Sequence, residues 1–313
     1  MAFAQGSRSG LSFLTESTFG TTPSGNFARL PFTSHSLNLT KDRVAGNDIQ
    51  PDRMARVDRH GNRSAAGDIS VDLRDGTYDA FLESAMMDTF TTNVLKVGTT
   101  PKFFSIEDYA ADIDDDAGGG SARLFTGMTV STMGISMAPN QMVTATFGMV
   151  GKNMTLSDSQ KSVDADTIAE PFDAYSGEIK IADDGTSTIQ ASTALSIVTS
   201  VDFTVTNSFA PTFVIGDSTA PQLEFGRAEV EGTITAYFED ATLLNRFVNE
   251  TESGIEVSVA DPSGNDLTFL FPKVKFNGAD VPVDGPGSRI ISLPFVALYD
   301  TAEDSNLTIT RSA

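Results

Sequence analysis

Residues 67–75 read Gly-Asp-Ile-Ser-Val-Asp-Leu-Arg-Asp, and residues 232–240 read Gly-Thr-Ile-Thr-Ala-Tyr-Phe-Glu-Asp. The two stretches lie 165 residues apart, and in both of them apolar residues alternate with polar residues, which is typical of a half-buried β-strand. A helical pattern of apolar residues follows each stretch. The sequence therefore predicts that one β-rich domain occurs twice in this chain.

Neighbouring segments repeat in the same order, at slightly different offsets. The matched pairs are 36–40 with 202–206 at an offset of 166, 124–130 with 270–276 at 146, and 143–147 with 291–295 at 148. The drift in offset indicates that the loops differ in length between the copies while the strands keep their order. Two copies of one domain in a chain suggest ring-building symmetry, since three such chains can close where six single-domain chains would.

Other segments complete each copy. Further strands are predicted near 103–109, 122–134 and 141–150, and near 255–260, 267–276 and 289–298. The first helix is expected to be capped by Asp75 or Thr77 and to bury Tyr78, Phe81, Leu82, Ala85 and Met86; the second is expected to be capped by Asp240 and to bury Leu243, Leu244, Phe247 and Val248. The predicted fold is mainly β: two tandem, internally duplicated antiparallel β-sandwich or barrel-segment domains, each with one flanking α-helix.

The chain divides by composition into four parts. Residues 1–33 form a Gly-, Ser- and Thr-rich N-terminal arm whose scattered Phe residues indicate that it packs on something. We assign 34–151 to the first domain, 152–198 to a polar connector with one short strand near 178–181, and 199–313 to the second domain.

Composition restricts the possible functions. The chain has 313 residues, no Cys and a net charge of −21, which argues against affinity for nucleic acid. No apolar run reaches the length of a membrane span, and the first residues lack the layout of a signal peptide, so we expect a protein made in the cytoplasm with no membrane partner.

Catalytic and metal-binding patterns are absent from the sequence. His35 and His60 are too few for a zinc site or a Ser-His-Asp triad, and residues 148–153 miss the glycine spacing of a phosphate-binding loop. The acidic run 112–120 lacks the glycine and glutamate positions of a calcium-binding EF-hand loop. We therefore expect no enzyme activity, no cofactor and no metal.

A long basic loop, 41–64, distinguishes the first copy from the second. It carries six basic and four acidic residues, whereas the second copy is expected to have only a short turn around Asn207 to Arg227. Such a loop on an acidic protein suggests docking onto an acidic surface of another copy, and a solvated flexible loop is the alternative.

Several segments resemble one family of virus proteins. Residues 16–23 (Glu-Ser-Thr-Phe-Gly-Thr-Thr-Pro) and 26–32 (Asn-Phe-Ala-Arg-Leu-Pro-Phe) are similar to the opening of siphophage major tail tube proteins. In the second half, residues 201–207 and the closing 293–300 (Leu-Pro-Phe-Val-Ala-Leu-Tyr-Asp) extend the resemblance. It covers nearly the whole chain, although no single motif is diagnostic.

The resemblance implies a structural protein of the virion tail. Members stack as rings into a hollow, non-contractile tube that carries genome DNA to the host, and a duplicated chain is expected to form homotrimeric rings with pseudo-sixfold symmetry. Expected partners are other copies of the chain, a tape-measure protein, tail-tip and tail-terminator proteins, and DNA that passes through without specific binding.

Two sets of residues are candidates for that function. The polar sides of the alternating strands are expected to line the channel, with outer solvent as the alternative: Ser36, Asn38, Thr40, Asp68, Ser70, Asp72, Asp202, Thr204, Thr206, Thr233 and Thr235. The basic residues of the loop, together with the arm, are expected to bridge successive rings: Lys41, Arg43, Arg53, Arg56, Arg59 and Arg63.

A second function stays open at this point. A carbohydrate- or receptor-binding β-sandwich on a virion or cell surface would also be mainly β and non-enzymatic. Such binders usually present exposed aromatic residues with polar groups, but this chain has no Trp and only five Tyr. Its 22 Phe residues suit cores and subunit interfaces better.

Overall fold

The structure is a computed structural model that describes residues 3–52, 54, 56–113, 122–165, 169–183, 185–283 and 285–312. It is mainly β, with large antiparallel sheets packed as a sandwich, which confirms the predicted fold class. The strands predicted near 103–109, 122–134, 141–150, 255–260, 267–276 and 289–298 are all present.

The strands of the first half are β1 (Ser9–Glu16), β2 (Ala28–Leu30), β3 (Ser34–His35), β4 (Asn38–Ala45), β5 (Asp58–Asp72), β6 (Val94–Lys96), β7 (Phe103–Ala110), β8 (Ala122–Met137), β9 (Thr144–Gly151) and β10 (Asn153–Ser157). Those of the second half are β11 (Asp173–Asp183), β12 (Val198–Thr206), β13 (Ala210–Thr212), β14 (Gln222–Glu224), β15 (Glu229–Tyr237), β16 (Ser253–Ala260), β17 (Asp266–Phe276), β18 (Ile290–Ala297) and β19 (Thr308–Arg311). The helices are α1 (Asp79–Met86), α2 (Thr186–Ala191) and α3 (Thr242–Val248).

One antiparallel sheet, which we call the long sheet, runs through both halves of the chain. Its strands lie side by side in the order β4-β5-β9-β8-β12-β15-β18-β17. The first four strands and the last four correspond in order, so β12 is the counterpart of β4 and β17 is the counterpart of β8. The pairing of β8 with β12 therefore joins the two repeats within one sheet.

Two smaller sheets cover one face of the long sheet. They are β2-β1-β7-β8-β10 and β11-β16-β17-β19-β6. The long strands β8 and β17 belong both to the long sheet and to a smaller one. This arrangement makes a sandwich in which each repeat contributes a smaller sheet, and β6 of the first half joins the smaller sheet of the second repeat.

The register of the long sheet corrects one sequence offset. Gly67 pairs with Met149, and its counterpart Gly232 pairs with Phe295, which lies 146 residues after Met149. The offset of 148 for residues 143–147 is therefore wrong by two residues. The offsets of 165, 166 and 146 agree with the observed pairings of the other strands.

Phenylalanine rings fill the core of the first repeat. The ring of Phe81 on α1 lies 4.9 Å from that of Phe13, 5.0 Å from Phe104 and 5.4 Å from Phe147. Since Phe147 belongs to the long sheet and the other two belong to the smaller one, α1 lies between the sheets. In the second repeat the ring of Phe271 lies 5.1 Å from that of Phe203 and 5.4 Å from that of Phe295.

The helices only partly follow the sequence pattern. The predicted stripe of α1 is buried throughout, but neither Asp75 nor Thr77 caps this helix. The backbone N–H of Thr242 donates a hydrogen bond to the Asp240 carboxylate (2.7 Å), but the N-cap residue of α3 is Ala241, so the predicted cap lies one residue too early. Of the α3 stripe, Leu243 is buried and Leu244 packs half-buried against the core, whereas Phe247 and Val248 are exposed, contrary to expectation.

Two segments contain more structure than the sequence indicated. Strand β1, in the segment predicted as an arm, pairs with β2 on one side and β7 on the other, and its Leu11 and Phe13 are core residues. Residues 152–198 include β10, the whole of β11, which is longer than the predicted short strand, and the unpredicted helix α2. Strand β10 pairs within the first repeat and β11 within the second.

The connections between the first two long-sheet strands of each repeat also differ from expectation. The predicted loop 41–64 is a β-hairpin, because β4 and β5 pair until Ala45 faces Asp58. The unpaired connection is therefore shorter than predicted, and we call residues 41–64 the first hairpin. The predicted short turn of the second repeat contains its own strand pair, β13–β14.

Candidate functional site

One face of the long sheet is polar across both repeats. On β5, Asp68, Ser70 and Asp72 point away from the core, because Ile69 and Val71 between them are buried. Successive residues of a strand face opposite sides, so the strand register decides which residues of neighbouring strands share this polar face.

Three rows of cross-strand partners extend the face. They are Asp72–Thr144–Ser136–Asp202–Thr233–Pro294, Ser70–Thr146–Gly134–Thr204–Glu231–Val296–Lys275, and Asp68–Gly148–Thr132–Thr206–Glu229. On β15, Thr235 lies two residues beyond Thr233 and on the same face. On β4, Asn38 and Thr40 also lie on this face. The Ser36 hydroxyl accepts a hydrogen bond from the Asp68 N–H (2.8 Å). All eleven polar candidates therefore share one face.

The face is concave where the repeats meet. A depression of about 530 Å³ is lined by residues of β8, β9, β12, β15 and β18. At the joint the Ser136 hydroxyl donates to the Asp202 carboxylate (2.5 Å). The joint between the repeats is thus polar and continuous on this side.

The sequence did not single out several residues of this face. Glu229 and Glu231 flank Val230 in an alternating pattern that could have identified them, and Thr144 and Thr146 lie on a strand whose register was misjudged. The three rows contain five carboxylates, from Asp68, Asp72, Asp202, Glu229 and Glu231, and the single ammonium group of Lys275. The face is therefore acidic and rich in small hydroxyl side chains.

The basic candidates do not form one cluster. Lys41, Arg43, Arg56 and Arg59 are exposed on the first hairpin, and Arg53 lies outside the described residues. Arg63 lies at the base of the hairpin, where its backbone N–H donates to the carbonyl of Ser218 in the second repeat (2.9 Å). Arg63 is thus placed against its own chain.

Two of the hairpin arginines have acidic partners in the hairpin itself. The Arg43 Nε lies 2.9 Å from Asp58 Oδ2, and Arg56 forms an ion pair with Asp52. Both pairs are largely exposed, and exposed ion pairs contribute at most about 1 kcal/mol. The partners can therefore exchange for others at little cost.

The segment between β12 and β15, residues 207–228, which we call the second connection, lies against the first repeat. Phe209 and Leu223 pack with Met87, which follows α1, and the Asn207 amide donates to the Ala85 carbonyl (2.7 Å). Asn207 is buried, so this polar contact is shielded from water. The second connection thereby covers the C-terminal end of α1.

A buried charge cluster lies in the first repeat, away from the polar face. Asp108 accepts hydrogen bonds from Arg123 and lies 3.6 Å from the His35 Nε2. Burial raises the pKa of Asp108, but hydrogen bonds from His35 and Arg123 outweigh burial and lower it overall. Burial raises the pKa of the neighbouring Glu107, whose carboxylate accepts the Lys161 N–H. His60 is exposed on the first hairpin.

A search of the described ranges finds no group of three or more His, Asp or Glu side chains arranged to hold a metal ion. Most of the acidic run 112–120 lies outside those ranges. In the same part of the chain no helix has both the length and the apolar character needed to cross a bilayer.

Comparison with known proteins identifies the family. No curated protein matches the chain. A family model described as "Phage tail tube protein" matches residues 6–297, which is nearly the whole chain and includes both repeats. The chain belongs to the phage tail tube protein family.

Proposed function

We propose that this chain is the major tail tube subunit of a long, non-contractile phage tail. The family is a structural one, and its members are virion components that assemble with other tail proteins. In our proposal the subunits, made in the host cytoplasm, polymerise as stacked rings, and the resulting hollow tube conducts genome DNA to the host.

The observation that carries the proposal is the polar face of the long sheet. It is continuous across both repeats, concave at their joint and acidic. We propose that this face lines the channel. Carboxylates repel the phosphates of DNA, and short hydroxyl side chains offer no basic group for phosphate binding, so DNA would slide without specific contacts.

Repeat geometry supports a homotrimeric ring with pseudo-sixfold symmetry. The joint of β8 with β12 places two equivalent sheet segments side by side in one chain. Three chains would contribute six such segments. In this proposal the two repeats are the two tube domains: the first comprises residues 34–151 together with β1, β2 and β10, and the second comprises residues 199–313 together with β11.

Stacking of rings is assigned to the first hairpin. Strand β1 is paired on both edges within its own chain, so it offers no free strand edge to another ring, and the proposal for stacking rests on the hairpin. The hairpin projects from the long sheet with exposed arginines. Reversing the charge of Arg53, Arg56 and Arg59 should stop polymerisation while thermal unfolding stays unchanged; normal tubes from this variant would contradict the assignment.

Electron microscopy of the purified protein at high concentration tests the function itself. The expected result is hollow tubes built from threefold rings with six similar lobes. The same experiment with the tail-tip proteins and the tape-measure protein present supplies the initiating partners. Monodisperse single chains under that second condition would reject the proposal.

The carbohydrate- or receptor-binding alternative is not proposed. The family match covers both repeats, and the polar face has the small side chains of a channel wall instead of the aromatic platforms that sugar binding uses.

A further inference from the structure

The joint between β8 and β12 shows how the last long-sheet strand of one repeat pairs with the first long-sheet strand of the next repeat. Its antiparallel register runs from Thr132 facing Thr206 to Met137 facing Val201. The same joint could form between chains only if both counterpart edges were open. Strand β4 pairs with β5 alone, and the described residues place no strand along its other edge.

In the second repeat, the counterpart of the β8 edge that pairs with β12 lies just after β17 in the chain. Asp280 pairs with Ser292 across β18, as Gly134 pairs with Thr146 across β9, and both pairs are separated by the same offset of 146. Residues 277–283 therefore continue the path of β17, with their outer edge open among the described residues. By the register of the internal joint, Asn38 of another chain would face Asp280.

A second part of the internal joint concerns the end of α1. Met87 follows this helix in the left-handed conformation (φ 55°), and the Asp88 N–H closes the helix on the Glu83 carbonyl (3.1 Å). Phe209 of the second repeat packs on Met87, and Asn207 caps the Ala85 carbonyl. The residues that follow β12 thus place two side chains against this helix end.

Helix α3 ends in the same geometry, but nothing described covers it. Glu250 has φ 53°, and the Thr251 N–H closes the helix on the Arg246 carbonyl (2.9 Å). Glu250 is therefore the counterpart of Met87. Glu250 and Val248 are both exposed, whereas the corresponding end of α1 is buried.

The side chains that would meet at this open end are complementary in charge. By the offset of 166, Asn207 corresponds to Lys41 and Phe209 corresponds to Arg43. The apolar contact of Phe209 with Met87 would become a contact of Arg43 with Glu250. Lys41, in the place of Asn207, would face the C-terminal carbonyls of α3, where a cation is favoured by the helix dipole.

We propose that neighbouring chains of a ring repeat the internal joint, with β4 of one chain along residues 277–283 of the next and Arg43 on Glu250. This rests on the proposed function and deepens it, because it reassigns Lys41 and Arg43 from contacts between rings to contacts within a ring. The exposed pair of Arg43 with Asp58 gives way to the new partner, since exposed pairs are weak.

A charge swap tests the contact through ring formation, measured by sedimentation and by mass photometry. Arg43→Glu alone and Glu250→Arg alone should each weaken ring association at least tenfold, and the double variant should recover to within about threefold of the natural chain. The matched control is Arg227→Glu, which also removes an exposed arginine from a short-range ion pair, here with Glu229, and should change nothing.

Engineered cysteines test proximity without requiring tubes, because the natural chain has no Cys. Chains with Arg43→Cys are mixed at high concentration with chains with Glu250→Cys. Mild oxidation should link the two kinds of chain, and Arg227→Cys in place of Arg43→Cys should give no such product. Thermal unfolding of every variant confirms that it is folded.

The outcomes separate this inference from the proposed function. Tubes that form normally from both single charge reversals, with no link between positions 43 and 250, would overturn the inference and leave the tube function standing. Recovery in the double variant together with the specific link would establish it. Single chains that never assemble with tail-tip partners would reject the tube function itself.

Discussion

The first hairpin and the second connection occupy the same place in the two repeats, between the first two strands of the long sheet, yet they do opposite things. The second connection folds against the first repeat, where Phe209 and Leu223 pack on Met87. The first hairpin projects, with Ile49 98% exposed and Met54 70% exposed. One chain therefore contains this element twice: in the second repeat it is packed against the chain itself, and in the first repeat it is exposed.

The difference suggests that the tip of the first hairpin is a surface that binds a partner. Exposed aliphatic side chains at a hairpin tip are unfavourable in water unless another surface covers them. In the second repeat the chain itself provides that surface. In the first repeat we expect another copy of the chain to provide it.

Removing the tip of the first hairpin should have the largest effect. Replacing residues 47–56 with Asn-Gly keeps a two-residue turn between Gly46 and Val57, which are already hydrogen-bonded. We expect rings that do not stack, with an unchanged unfolding temperature, measured by electron microscopy and calorimetry. Tubes of normal length would show that the projecting tip is dispensable.

Two equivalent glycines test the shared framework and should respond alike. A Cβ on Gly67, which has φ 147°, would lie 2.5 Å from the Ser36 carbonyl oxygen, and one on Gly232 would lie 2.5 Å from the Phe295 ring. Each substitution to alanine should cost about 3 kcal/mol or more in the free energy of unfolding, measured by urea denaturation.

Gly134→Ala is the control for both. Its added Cβ would meet only the Thr204 hydroxyl at 3.7 Å, which is ordinary contact. A cost at Gly67 or Gly232 no larger than at Gly134 would mean that the close backbone approach does not constrain these positions.

Asn207 and Lys41 are counterparts that sharpen the comparison of the two connections. Asn207→Ala leaves the Ala85 carbonyl without its buried donor and should cost about 2 kcal/mol. Lys41 is exposed, so Lys41→Ala should stay within about 0.5 kcal/mol in the free energy of unfolding. Equal losses in the two variants, measured by chemical denaturation, would remove the distinction between a closed and an open joint.

Acid sensitivity should also differ between the repeats, because the counterpart of Asp108 on β16 is Val257. Folding lowers the pKa of Asp108, so its contribution to stability is present above the ordinary Asp range and is lost as the pH falls through the lowered value. Asp108→Asn should lower stability by about 2 kcal/mol at neutral pH, the worth of hydrogen bonds to a charged group.

The gap between the natural chain and Asp108→Asn should close in strong acid, measured as unfolding temperature against pH. Comparing the two chains largely cancels the effect of Glu107, whose raised pKa acts in the opposite direction. A gap that stays constant down to strong acid would mean that the Asp108 charge does not stabilise the fold.

Alternation located most strands but could not set their register. A slip of two residues keeps every side chain on the same face, so a pattern of period two is equally satisfied by offsets of 146 and 148. Only the partner strand decides, as Phe295 opposite Gly232 does. For the same reason the eleven polar candidates were found on one face even though one strand was misaligned.

Other elements gave no usable pattern. Helix α2 has six residues, mostly polar, of which Ile189 is fully buried, so no apolar stripe could mark it. Strand β1 lies in a Gly- and Ser-rich segment whose composition resembles a linker. The side-chain pattern predicts a loop for the first hairpin because its polar residues are exposed on both faces. Its pairing depends on backbone hydrogen bonds, which that pattern does not report.

The pairing of β8 with β12 has a consequence for dilution. A contact between separate molecules obeys mass action and dissolves when the protein concentration falls below its dissociation constant. The β8–β12 contact lies within one polypeptide, so its formation is independent of concentration. When an assembly of these chains is diluted, the smallest folded unit that it releases is a single chain. That chain still holds two adjacent sheet segments in register, so this joint does not have to form again on reassembly.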